Sequence, residues 1–357
     1  MKRKFAALLA LTLLTASTIT GCGASPEPAP PQATSATAAA TPTLLAHQQN
    51  DASLPVVYYT KDISPQGLLK TYKALNQNAK GNVGIKTIFE APGVDYLDPN
   101  LLKPLADEVN GTLLDSNGFS SPRNTTTGHL QVAKDHGFAQ IAPIDILDSE
   151  GELDIPVTDG KHLKFHRVGS HLANYDTLIS VVQFKPHTLR DYDGTIKNLT
   201  ICLASIGGKG NIHSGGQSLG FSENGMTVFM ESMAEATKAA LDYKKDSWAF
   251  INVLSNLEVN DSCNEATKLA DIGIIASLDP VAVDSAALDF TYGTGDANTR
   301  QSWERRHNAD VLKYAETRGA GKINYRLVNL DEAEQSQSLK PVDKDKLLNT
   351  IKKVFGE

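Results

Sequence analysis

From about residue 55 onward, short apolar runs alternate with amphipathic stretches. Residues 84–89 (Gly-Ile-Lys-Thr-Ile-Phe) have the length and bounds of a strand. Leu101, Leu102, Leu105, Ala106 and Val109 then fall on one helical face that stops at Gly111. Residues 112–114 return as a strand. Further runs at 177–184, 196–203, 248–254 and 272–276 are bounded by Gly, Asp or Pro and predict strands, and Phe229, Met233, Ala236 and Ala240 mark a helix between them. Two more helices are expected, at 303–317 ending on Gly319 and at 342–354 with a lysine-rich outer face. The order is mainly β-α-β. It predicts an α/β fold with a parallel or mixed sheet and helices on both faces, in one lobe or two. In such sheets ligands gather where loops leave the carboxyl ends of the strands, which points to the residues after Phe184, Leu203, Leu254 and Ser277.

The first fifty residues have a different pattern. Lys2, Arg3 and Lys4 precede an apolar run at 5–19, which is too short to span a bilayer as a helix and has the form of a secretory signal. It ends in Ile19-Thr20-Gly21-Cys22, which resembles a lipobox, so Cys22 is expected to be the lipidated, palmitate-bearing first residue of the exported chain. Residues 23–49 are rich in Pro, Ala, Thr and Ser, with almost no large apolar side chain to offset the entropy of ordering. They read as a tether with a reach on the order of 30 Å. The expected boundaries are a signal peptide at 1–21, lipidated Cys22 and tether to 52, an α/β domain at 53–335 and a C-terminal helix at 336–357. The expected location is the cell envelope, on the exported side of the membrane and held by lipid alone.

Charge and cysteine content narrow the partners. Loss of Lys2, Arg3 and Lys4 takes the formal charge from −7 to −10, and no basic cluster remains to hold nucleic acid. Beyond Cys22 only Cys202 and Cys263 are present, too few for an iron–sulfur cluster or an all-cysteine zinc site; they either pair or stay buried.

Candidate chemistry is densest at 182–216. His187 follows a buried-looking strand, Lys197 sits inside an apolar run, and the glycine-rich stretch 207–216 carries His213. Each also fits an ordinary role: His187 as a capped strand end, Lys197 on a half-exposed strand, His213 at the surface. Asp279-Pro280 reads as a helix start, with Asp284 one turn in. Asn252, Asp261 and Cys263 follow another strand, and His129 and Arg123 follow the strand ending at Asp115.

These stretches resemble the family known as domain of unknown function 362. The likeness lies in Gln183-Phe184-Lys185-Pro186-His187, Asp193-Gly194-Thr195-Ile196-Lys197-Asn198-Leu199, Cys202-Leu203-Ala204-Ser205, His213 and residues 271–284, and it covers roughly 80–330. Two departures stand out. Gln183 replaces a histidine, and only residues 215–225 stand where many members carry a cysteine-rich iron–sulfur insertion. The resemblance also places cysteines at 202 and 263 in a site role. A fainter resemblance is to nickel-pincer lactate racemases, in the spacing of Pro186-His187, Lys197 and His213. It implies proton transfer at His187, a ligand or cofactor anchor at Lys197 and a metal ligand at His213.

The combined expectation is a cleft containing His187, Lys197 and His213, with Lys185, Asn198, Asn211 and Asp284 as further ligand-binding residues. The electrophile would be a divalent metal without the pincer nucleotide, and the chemistry proton or hydride movement on a small oxyacid. The alternative is a non-catalytic tethered protein that binds a small anion or metal.

Overall fold

The computed structural model describes residues 45–186, 192–259, 267–268, 270–294 and 310–332. In chain order these form β1 (Val56–Thr60), α1 (Pro65–Ala74), β2 (Val83–Lys86), α2 (Pro99–Val109), β3 (Thr112–Asp115), α3 (Thr126–Asp135), β4 (Ile144–Ile146), β5 (Glu152–Pro156), β6 (Phe165–Gly169) and β7 (Thr177–Gln183). Next come β8 (Lys185–Pro186), β9 (Tyr192–Asp193), α4 (Thr195–Leu199), α5 (Ile206–His213), α6 (Met226–Tyr243), β10 (Trp248–Leu254), β11 (Glu258–Val259) and β12 (Thr267–Lys268). The last elements are β13 (Gly273–Ser277), α7 (Pro280–Thr294), α8 (Asp310–Thr317) and β14 (Arg326–Asn329).

Eight strands make one sheet in the order β14-β1-β13-β10-β7-β2-β3-β4. Every neighbouring pair is parallel except the two that involve β13, so the sheet is mixed, as the β-α-β order predicted. Strand alternation sends Leu113, Ile179 and Ile274 to one face, where they pack with Leu68 of α1, Leu102 and Leu105 of α2 and Ala133 of α3. The intervening Leu114, Leu178 and Ile275 meet α4 to α8 on the other face, through Ile196, Ile212, Met233, Val283 and Leu312. With both faces covered, β7 and β10 are buried along their whole length, which is why they read as unbroken apolar runs. The described residues form one unit, not two lobes. No helix among the described residues is long and apolar enough to cross a membrane.

Two local expectations are corrected. Residues 196–203, expected as a strand, instead begin in helix α4. Their apolar residues Ile196, Leu199 and Leu203 follow helical spacing, and a short apolar run does not by itself distinguish the two states. The glycine-rich stretch at 207–216 is mostly helix α5 and not a loop. The Ser205 hydroxyl caps it by accepting from Gly208 N at 3.1 Å, and a Cβ at Gly208 would lie 1.9 Å from the Arg167 carbonyl oxygen. The glycine here permits close packing of α5 on β6. The helix start at Asp279-Pro280 is as expected: Asp279 accepts from Val281 N and Ala282 N, each at 2.9 Å. The C-terminal helix expected at 342–354, and residues 303–309 of the one before it, lie outside the described residues.

Candidate functional site

A fully buried lysine stands at the carboxyl end of β2. Lys86 Nζ uses all three of its donors, to Asp115 Oδ1 at 3.0 Å, Asn198 Oδ1 at 2.9 Å and the Thr87 carbonyl at 2.7 Å. Asp115, the last residue of the adjacent parallel strand β3, also accepts from Phe89 N at 3.0 Å and Ser116 N at 2.9 Å. His129 Nε2 lies 3.2 Å from its other oxygen and Arg123 Nη1 3.9 Å away. Burial on its own would raise the Asp115 carboxyl, but the charges of Lys86, His129 and Arg123 outweigh it and hold the group well below the ordinary carboxylate range. Asn198 locks α4 to this pair, donating to the Lys86 carbonyl at 3.0 Å and to Ser180 Oγ at 2.8 Å.

Over this core opens a cleft of about 300 Å³, whose charged walls are Glu90, Asp115, Arg123, Asp193, Lys197 and Lys209. Each of its carboxylates has a lysine of its own: Glu90 pairs with Lys185 at 2.7 Å, Asp115 with Lys86, and Asp193 with Lys197. Arg123, which also lies 3.9 Å from Asp115, and Lys209 are the cations left outside these one-to-one lysine pairs. Arg123 Nη1 is buried without a hydrogen bond, and Lys209 Nζ donates to the Ala204 carbonyl. Glu90 holds a left-handed φ of 56°, an unusual conformation for a residue with a side chain and one that concentrates at ligand sites. Cys202 carries a free thiol in the same wall. Burial pushes that thiol up despite the pull of Lys86 and Lys197, so it stays protonated at neutral pH.

The α4 segment is positioned from behind by Asp284. Its carboxylate accepts from Thr195 N and Ile196 N, each at 2.8 Å, from Asn252 Nδ2 at 2.7 Å and from the Tyr192 hydroxyl at 3.1 Å. Gly194 permits this approach, since a Cβ there would lie 2.7 Å from Asp284 Oδ1.

Of the residues expected from the sequence, Lys197 lines the cleft, on a helix and not on a strand. Burial would lower its ammonium, but Asp193 more than offsets this and raises it. Lys185 closes one side through Glu90 and the Asp95 carbonyl at 3.0 Å. Asn198 and Asp284 support the cleft from within the core. Asn211 binds the Phe165 carbonyl at 3.1 Å and so pins α5 to β6. His213, the last residue of α5, lies among aromatic rings, stacked on Phe229 at 4.7 Å with Phe221 at 5.5 Å and Phe119 at 5.9 Å. Among the described residues no three His, Cys, Asp or Glu side chains are grouped to hold a metal ion, so the residues in view do not fit a metal centre. His187, Cys22 and Cys263 lie outside the described residues.

From the sequence, His129 and Arg123 stand only as minor candidates, and nothing in local pattern connects Lys86, Asp115 and Lys209. One signal is present: Lys86 follows three apolar positions at the end of a strand, and a buried lysine is stable only when paired or put to use.

No curated protein matches the chain. Among solved structures, the lactate racemase apoprotein from Thermoanaerobacterium thermosaccharolyticum is similar at 16% identity and a TM-score of 0.44, over 66% of this chain and 57% of that one. A structural-genomics protein from Thermotoga maritima is similar at 11% identity and a TM-score of 0.36, over 71% of this chain and 58% of that one. This chain thus spans less than two thirds of either neighbour. A family model described as "Domain of unknown function (DUF362)" matches residues 83–289, more than half of the 357, and the chain belongs to that family.

Proposed function

We propose that this chain is a lipid-anchored protein of the cell envelope whose sheet-end cleft takes a small oxyacid anion. The observation that supports the reading is the surplus of positive charge. With Glu90, Asp115 and Asp193 each neutralised by a lysine, Arg123 and Lys209 retain charge and hydrogen-bond donors facing a cleft of about 300 Å³. A guanidinium binds a carboxylate through two parallel bonds, and in a buried cleft such charge-assisted bonds are at their strongest. Proton movement on the bound oxyacid would fall to the lysines and to groups that complete the cleft. A purely binding protein would share the same cation pair, and turnover of a bound oxyacid separates the two readings.

Titration calorimetry with lactate and pyruvate tests the cleft. Arg123→Ala is expected to weaken binding about 10- to 100-fold, the worth of a charge-assisted hydrogen bond. Equal affinity in the variant, or no binding by the natural chain, would overturn the reading. The anchor has its own test. Cys22→Ser is expected to release the protein from the membrane fraction or leave its signal uncut, and a variant that stayed membrane-bound and correctly processed would count against lipidation.

A further inference from the structure

We infer that Lys209 is an imine-forming lysine, whose side-chain nitrogen condenses with the carbonyl carbon of a short 2-oxo acid held through its carboxylate by Arg123. The inference rests on the oxyanion reading of the cleft and adds to it a substrate class and a covalent step.

The cleft draws on four lysines, and three of them are committed. Lys86 is held by Asp115, Lys185 by Glu90 and Lys197 by Asp193. A lysine paired with a carboxylate is held as ammonium and has no lone pair to offer. Lys209 differs. It lines the cleft with only 6% of its surface exposed, its one hydrogen-bond partner is the Ala204 carbonyl, and among the described residues no carboxylate lies within ion-pair distance. Burial lowers its ammonium to about 8, against the opposing pull of Asp148 and Asp115, with Lys86 adding to the fall. Desolvation beside another cation is a known way of preparing a nucleophilic lysine.

Its position is also fixed. Lys209 lies in the first turn of α5, whose start is held by the Ser205 cap and by the contact of Gly208 with β6. Side chains on a helix lean toward its N-terminus, and the bond from Nζ to Ala204 follows that direction. One N–H of the neutral amine is thereby anchored while the lone pair is left for attack.

The step balances within the cleft. The amine nitrogen bonds to the carbonyl carbon of the 2-oxo acid, and the C–O double bond becomes a hydroxyl as a proton moves from nitrogen to oxygen. The nitrogen lone pair then forms C=N while the hydroxyl leaves with the second amine proton as water. The products are one imine and one water. The protonated thiol of Cys202 stands in the same wall and can relay that second proton from nitrogen to the departing oxygen. In its protonated form the imine withdraws electrons from the adjacent carbon, so that carbon's protons exchange with water.

The full chain, incubated with pyruvate and cyanoborohydride, is read by intact mass and peptide mapping. The expected result is a reduced pyruvyl adduct on Lys209 that increases as pH rises through about 8, is absent in Lys209→Arg, and is at least about tenfold lower in Arg123→Ala. Mapping in the natural chain keeps the test independent of how the variants fold. Pyruvate binding by calorimetry without an adduct on Lys209, or with adducts spread over surface lysines, overturns the imine while leaving the oxyanion cleft standing. Neither binding nor adduct overturns both.

Discussion

Lys86→Met is expected to lower the unfolding free energy by about 3–5 kcal/mol at neutral pH, the usual cost of removing one partner from a buried ion pair. Methionine nearly fills the volume, so the loss comes from charge and not from a cavity. Asp115 would keep its bonds from Phe89 N and Ser116 N but would lose the ammonium 3.0 Å away, and Asn198 Oδ1 would lose its donor. The effect has a pH signature of definite sign. In the natural chain the folded carboxyl of Asp115 titrates below its unfolded value of about 3.9, so its contribution is fully present above that value and is lost as pH falls through the folded one. Without Lys86 the folded carboxyl moves upward and can take a proton, so the gap between variant and natural chain should narrow as pH drops below about 4. Urea unfolding followed by circular dichroism at about pH 7 and about pH 3 checks both statements. A deficit below about 1 kcal/mol at pH 7 would mean that the pair is not what holds the carboxyl ends of β2 and β3 together.

Asp284→Ala should be similarly severe, at about 3–5 kcal/mol, because it removes the carboxylate that accepts from four buried donors: two backbone N–H groups of α4, the Asn252 amide and the Tyr192 hydroxyl. The loss is less than four full penalties, because removing the carboxylate also relieves its burial. That burial raises the group to about 6 against its donors. A carboxyl raised on folding contributes stability that is fully present below about 3.9 and is lost as pH rises through about 6. Asp284→Asn is therefore expected to flatten the fall in stability between about pH 4 and 6, with Asp279, also raised to about 6, supplying what slope remains. Function gives a second readout. Lys197 and Asn198 are on the helix that Asp284 caps, so both variants should lose affinity for the small anion even where they remain folded.

The sheet was legible in the sequence because strands buried on both faces leave a signature that does not depend on context. The unbroken apolar runs at 177–184 and 248–254 read correctly as strands, although the similar run at 196–203 did not, and Asp279-Pro280 marks a helix start. The site was less legible. Lys197, Asn198 and Lys185 could be named because they lie within one stretch of chain, but their supports come from distant segments: Lys86 is 112 residues from the Asn198 it binds, and Asp284 is 89 residues from Thr195. The glycines of 207–216 misled for a related reason. Glycine marks either a flexible turn or a close approach, and only the position of Arg167 against Gly208 decides between them.

By itself the sequence determined the features that local pattern dictates: the α/β class, the positions of most core strands along the chain, the capped helix start at Asp279-Pro280 and the density of polar residues near the strand ends. Which charges meet was decided only by tertiary structure. Pairing is a property of distance in space. The parallel register of β2 with β3, together with the packing of α4 and α5 across the sheet end, assigns each carboxylate of the cleft to a lysine and leaves Arg123 and Lys209 over.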